Sequence, residues 1–70
     1  MDKTELRVEM VKKHESTETL ANKIGMNVTT LYNKINGKTE FTLSELTKIQ
    51  AVLDIDDDRF RQIFFSGNLS

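Results

Sequence analysis

Asp54, Asp56 and Asp58 repeat at alternate positions, the spacing with which a calcium-binding loop opens. Such a loop also needs glycine at its bend and a glutamate that closes it with both oxygens, and Arg59 and Phe65 stand at those places. Negative charge at a helix start explains the run better, because it complements the helix dipole. His14 beside Glu15 has the residue types of an acid–base pair, but neighbours on a helix point about 100° apart and do not meet. The chain has one histidine, no cysteine and no glycine-rich phosphate loop, so its serine and threonine hydroxyls lack the partners of a nucleophilic triad. The expectation is a protein without catalytic residues, metal site or cofactor, and not an enzyme.

What remains is binding, and charge says to what. The net charge is −1, yet it is unevenly spread. Residues 1–38 hold Lys3, Arg7, Lys12, Lys13, Lys23, Lys34 and Lys38 against five carboxylates, a net of +2, and residues 39–70 carry −3. The front half is the more plausible face for a polyanion. Seventy residues bound the fold to one small domain spanning 1–70, and 37 % apolar with 30 % charged residues suits a globular body. The absence of cysteine fits a reducing cytoplasm. The longest apolar runs, Ala51-Val52-Leu53 and Ile63-Phe64-Phe65, fall far short of the roughly 20 residues that span a bilayer. No membrane association is expected.

The elements that must position a binding face are all helical. Proline is absent, and the glycines at 25, 37 and 67 each follow a stretch of helical apolar spacing, where glycine caps a helix end. A first helix is predicted over about Thr4–His14, with Thr4 as N-cap, Leu6, Met10 and Val11 inward, and His14 facing the C-terminal dipole. Ser16 caps a second, with Leu20, Ala21 and Ile24 on one side, ending at Gly25. Asn27 caps a third over about Val28–Asn36, with Leu31 and Ile35 inward and Gly37 closing it. Thr42-Leu43-Ser44-Glu45 is a capping box opening a fourth, which places Leu46, Ile49 and Leu53 on one face. A fifth, over about 57–65, carries Phe60, Ile63 and Phe64 inward, while Phe65 and Leu69 are expected to be more exposed.

The second and third helices are joined only by Gly25-Met26-Asn27. A tight crossing there requires a small residue at the contact, a turn residue that accepts left-handed angles and apolar inner faces, which Ala21, Gly25 and the set Leu20, Ile24, Met26 and Leu31 provide. The stretch from Leu20-Ala21 through Gly25 to Asn36-Gly37-Lys38, continued by Phe41-Thr42-Leu43-Ser44-Glu45-Leu46, resembles the helix-turn-helix family of small phage and bacterial regulators: lambda repressor-like, Cro-like, XRE-type proteins. The resemblance covers about Thr4 to Leu53, with the motif at about 16–37. It implies a compact, all-α, five-helix lambda repressor-like DNA-binding domain. Two positions depart from the pattern: Thr17 stands where a glutamine often helps fix a phosphate, and Lys34 where an apolar residue is usual.

By this resemblance the helix beginning at Val28 enters the major groove of an operator duplex. Val28, Thr29, Tyr32 and Asn33 then contact bases: apolar or methyl groups touch thymine methyls, and asparagine pairs with adenine through two bonds. Ser16, Thr17, Asn27, Lys34, Asn36 and Lys38 fall to the phosphates, which fix register without reading sequence. A homodimer through the C-terminal apolar cluster of Phe64, Phe65 and Leu69 would match paired half-sites about 34 Å apart. The implied function is a Cro-like or repressor-like transcriptional regulator of a phage or prophage. A core this small leaves little room for an effector pocket of several hundred Å³, so control falls to abundance, dimerisation or a protein partner. The competing reading is a modulator that uses the same fold to occupy a partner repressor protein, because no arginine lies between residues 8 and 58 and Val28 and Tyr32 sit on the would-be reading helix.

Overall fold

The computed structural model describes residues 1–65. Within them the chain is all-α, in five helices: α1 (Lys3–Lys12), α2 (Thr17–Ile24), α3 (Val28–Ile35), α4 (Leu43–Leu53) and α5 (Asp57–Phe65). All five helices contribute to one core. Its fully buried side chains are Leu6 from α1, Leu20 from α2, Leu31 from α3, Ile49 and Leu53 from α4, and Ile63 from α5. The second helix packs on both α3 and α4, and α1 packs on α5. The amide of Asp2 donates to the Ile63 carbonyl at 2.6 Å, tying the start of the chain to the last helix.

Each N-terminus is capped by a short polar side chain. Asp2, Ser16, Asn27 and Thr42 accept amides of the first turns of α1 to α4, and Asp56 accepts the Arg59 amide at 2.7 Å. The Thr42–Glu45 capping box is present, and Ser16 and Thr19 form a second one. At the other ends one device recurs four times. In α1 to α4 a residue with positive φ follows the last turn, and two amides fold back onto the helix's final carbonyls, the pattern of a Schellman closure. Gly25 and Gly37 fill the left-handed position after α2 and α3; His14 and Asp54 fill it after α1 and α4. Gly67 lies outside the described residues.

This closure corrects the expected first helix. It begins at Lys3 on the cap Asp2 rather than on Thr4, and it ends at Lys12, so His14 lies past the end with φ +58°. The inward set also changes. Val11 is 73 % exposed and Glu9 is buried with Leu6 and Met10. Five positions separate Val11 from Leu6, roughly 140° around the helix, whereas Glu9 lies within about 60° of Leu6. Burial of this carboxylate is met by Arg59 of α5, whose Nε donates to Glu9 Oε2 at 2.9 Å while its Nη2 donates to Glu5 Oε1 at 2.7 Å. Lys12 adds a second donor to Glu9 at 3.2 Å. Burial raises the Glu9 pKa, but the bonds from Arg59 and Lys12 outweigh it and hold the carboxyl below its ordinary value.

Of the C-terminal cluster, Phe60 and Phe64 are buried, with ring centroids 5.1 Å apart. Phe65 stays partly exposed with its ring 5.9 Å from that of Phe60, and Leu69 lies outside the described residues. No helix is long and apolar enough to cross a membrane among the described residues.

Candidate nucleic-acid interface

The break between α2 and α3 is sharp. Gly25 has φ +73°, the Met26 amide donates to the Ala21 carbonyl at 2.9 Å, and Asn27 is extended before α3 begins. A Cβ at Gly25 would meet nothing within 4 Å, so glycine is needed here for its backbone angle and not for room. Leu31 and Ile35 are buried on the inner side of α3. At about 100° per residue, Val28, Thr29, Tyr32, Asn33 and Asn36 share an outward arc of roughly 140°. Val28, Thr29 and Tyr32 are exposed, Tyr32 to 55 %, and Asn33 is half-buried.

The polar residues expected at phosphates divide into those already bonded within the fold and those open to solvent. The Asn27 side-chain oxygen accepts the amides of Thr29 at 2.8 Å and Thr30 at 3.3 Å, so it fastens the first turn of α3. Ser16 Oγ accepts the Thr19 amide at 3.1 Å, and Thr17 is half-buried in the first turn of α2. Next to them Glu15 accepts from Thr19 Oγ1 and pairs with Lys23, and those bonds hold its carboxyl below its ordinary value. The start of α2 therefore already has a carboxylate beside it, balanced by Lys23. Lys38 is exposed, and the structure records no carboxylate partner for it among the described residues.

Lys34 and Asn36 make contacts that the residue pattern does not reveal. The Lys34 ammonium lies 3.0 Å from Glu45 Oε1 and 2.9 Å from the Glu40 carbonyl, 5.9 Å from the centre of the Phe41 ring, with its side chain only 13 % exposed. It lies on the flank of α3 that faces α4, off the outward arc. Glu45 in turn is held ionised first by the Thr42 amide and then by Lys34. Asn36 donates to the Tyr32 carbonyl at 2.9 Å, and its Oδ1 accepts from Lys3 Nζ at 2.9 Å. That second bond brings the start of α1 to the end of the outward arc. Beside it runs an open groove of about 530 Å³, lined by Met1, Lys3, Asn36, Phe41, Leu46 and Phe64 among others. This groove lies between the start of α1 and the segment that joins α3 to α4, and is not an enclosed effector pocket.

The model of the family described as phage regulatory protein CII (CP76) matches residues 2–54, from the N-cap of α1 to the residue that closes α4. The chain belongs to this family. The membership makes it a small phage regulator, which is the resemblance drawn from the sequence at its broadest. The family match includes both helices of the Gly25–Asn27 turn and stops short of α5. No curated protein and no solved structure matches the chain.

Proposed function

We propose that this phage regulator is a non-catalytic, sequence-specific DNA-binding protein of the cytoplasm, Cro-like or repressor-like in action, that lays α3 in the major groove of an operator. The observation that carries the reading is the outward arc of exposed Val28, Thr29 and Tyr32 and half-buried Asn33 on a short helix set off from α2 by a tight turn. A helix of this diameter fits the groove, and this mixture of methyl, hydroxyl, phenol and carboxamide groups suits base edges. In this reading α2 crosses the backbone, with Ser16 and Thr17 at its start, and Lys38 and the Asn36–Gly37 amide region touch phosphates beyond α3. Half-sites would be engaged by a homodimer joined through the C-terminal apolar cluster, in which Phe65 is partly exposed.

A second reading has its own observation in support. Val28 and Tyr32 form an exposed apolar pair one turn apart, and the only lysine of α3, Lys34, is engaged inside the fold. Such a face also suits a partner repressor, gripped through α3.

Duplexes enriched by the chain from a random-sequence pool, titrated with salt, decide between them. Operator binding gives one preferred sequence and an affinity whose logarithm falls with log salt by about 0.9 for each phosphate neutralised. Absence of any enriched sequence, together with a stoichiometric complex with a repressor encoded beside it, would establish the second reading and end the first.

A further inference from the structure

Three lysines surround the C-terminal end of α3, and the structure treats them differently. Lys34 is enclosed, with Glu45, the Glu40 carbonyl and the Phe41 ring around its ammonium. Lys38 is exposed. Lys3 belongs to another helix, yet its ammonium is exposed and lies 2.9 Å from Oδ1 of Asn36, the residue that ends the outward arc at the C-cap of α3. Among the described residues Lys3 has no carboxylate partner; its one hydrogen-bond acceptor is a neutral amide. The start of α1 cannot swing away from this position easily, since Asp2 is bonded to Ile63 and caps α1 through Glu5. Glu40 lies on the same groove, lined also by Met1 and Lys3.

We infer that Lys3, not Lys34, is the ammonium that joins Lys38 in neutralising DNA phosphates at the C-terminal end of α3. Asn36 holds it in place, and Lys34 is a positioning residue that fixes α3 against α4. This inference rests on the DNA-binding reading above. The reason is electrostatic. An ammonium already paired with a carboxylate must break that pair to meet a phosphate, and so displaces few counterions, whereas one held only by an amide oxygen is free to do so.

The test uses the full chain and the duplex it enriches from a random-sequence pool. Lys3→Met is expected to reduce the slope of log affinity against log salt by about 0.9 and to leave base preference unchanged, with Lys3→Arg restoring the slope. Lys34→Met is expected to keep the wild-type slope. A slope unchanged in Lys3→Met, or reduced in Lys34→Met, overturns the inference. Amine acetylation of the wild-type chain gives a second readout that needs no variant. Lys3 should react when free and be protected by the duplex, while Lys34 reacts slowly in both states; protection that appears at Lys34 and not at Lys3 also overturns it. A wild-type chain that enriches no duplex would instead remove the DNA-binding reading itself, before any variant is compared.

Discussion

Lys34 and Glu45 join the helix that carries the outward arc to the helix behind it. One carboxylate oxygen, Glu45 Oε1, accepts both the Lys34 ammonium at 3.0 Å and the Thr42 amide at 2.9 Å. The capping box of α4 is therefore also the anchor of α3, so a change made to stabilise a helix end also alters the seating of the outward arc.

Glu45→Ala removes both bonds at once, and a loss of about 1–2 kcal/mol is expected from the cap and the partly exposed ion pair together. Glu45→Gln keeps an oxygen for the Thr42 amide and should lose less. Urea denaturation of the two variants, read by helical circular dichroism, gives the comparison; equal losses would show that the cap contributes nothing.

The four left-handed closures make opposite predictions for different residues. Gly25→Ala should destabilise by about 1–2 kcal/mol through backbone strain alone, since no atom obstructs the added methyl. His14→Gly and Asp54→Gly relieve the same strain, which is smaller for aspartate, and should stabilise by up to about 1 kcal/mol. Thermal melts of the three variants test this; a destabilised His14→Gly would show that the histidine side chain contributes more than its backbone angle costs.

Acid should unfold the protein through Glu9 and Glu45. Both have folded-state pKa values below their unfolded values, so the folded chain binds fewer protons there. The stability they contribute is complete above the ordinary glutamate value near 4.3 and is lost as pH falls through the lowered folded values. In Glu9→Gln the acid limb of a stability–pH curve should flatten. At neutral pH that variant should lose about 1–2 kcal/mol, less than a fully buried pair, because Arg59 is partly exposed and keeps Glu5. An acid limb as steep as that of the wild type would assign the effect to other carboxylates.

On DNA, Asn33→Ala should relax preference at one base pair by roughly 1–3 kcal/mol, whereas Lys38→Ala should weaken all sequences alike. Competition between the enriched duplex and single-base variants measures both. Uniform losses for Asn33→Ala would remove that residue from base reading.

Local signals act between residues a few positions apart along the chain, and those are legible in the sequence. Ser16, Asn27 and Thr42 cap the helices they were expected to cap, and Leu20, Ile24, Leu31, Ile35, Ile49, Leu53 and Ile63 lie on the faces their spacing assigns. The turn at Gly25 was readable because only glycine takes φ +73° without strain. The equivalent turns at His14 and Asp54 were not, because histidine and aspartate adopt positive φ only in a minority of places, so the residue type does not announce it.

Sequence alone therefore determined the five helices, most of the core and the arc from Val28 to Asn33, since each follows from helical period and short-range capping. Tertiary structure decided which charges are free. Whether Lys34 points outward or to Glu45, whether Glu9 is solvated or buried against Arg59, and whether Lys3 reaches Asn36 depend on contacts between residues 11, 50 and 33 positions apart. No periodicity encodes such distances. They exist only once burial of the apolar faces has fixed how the helices lie against one another.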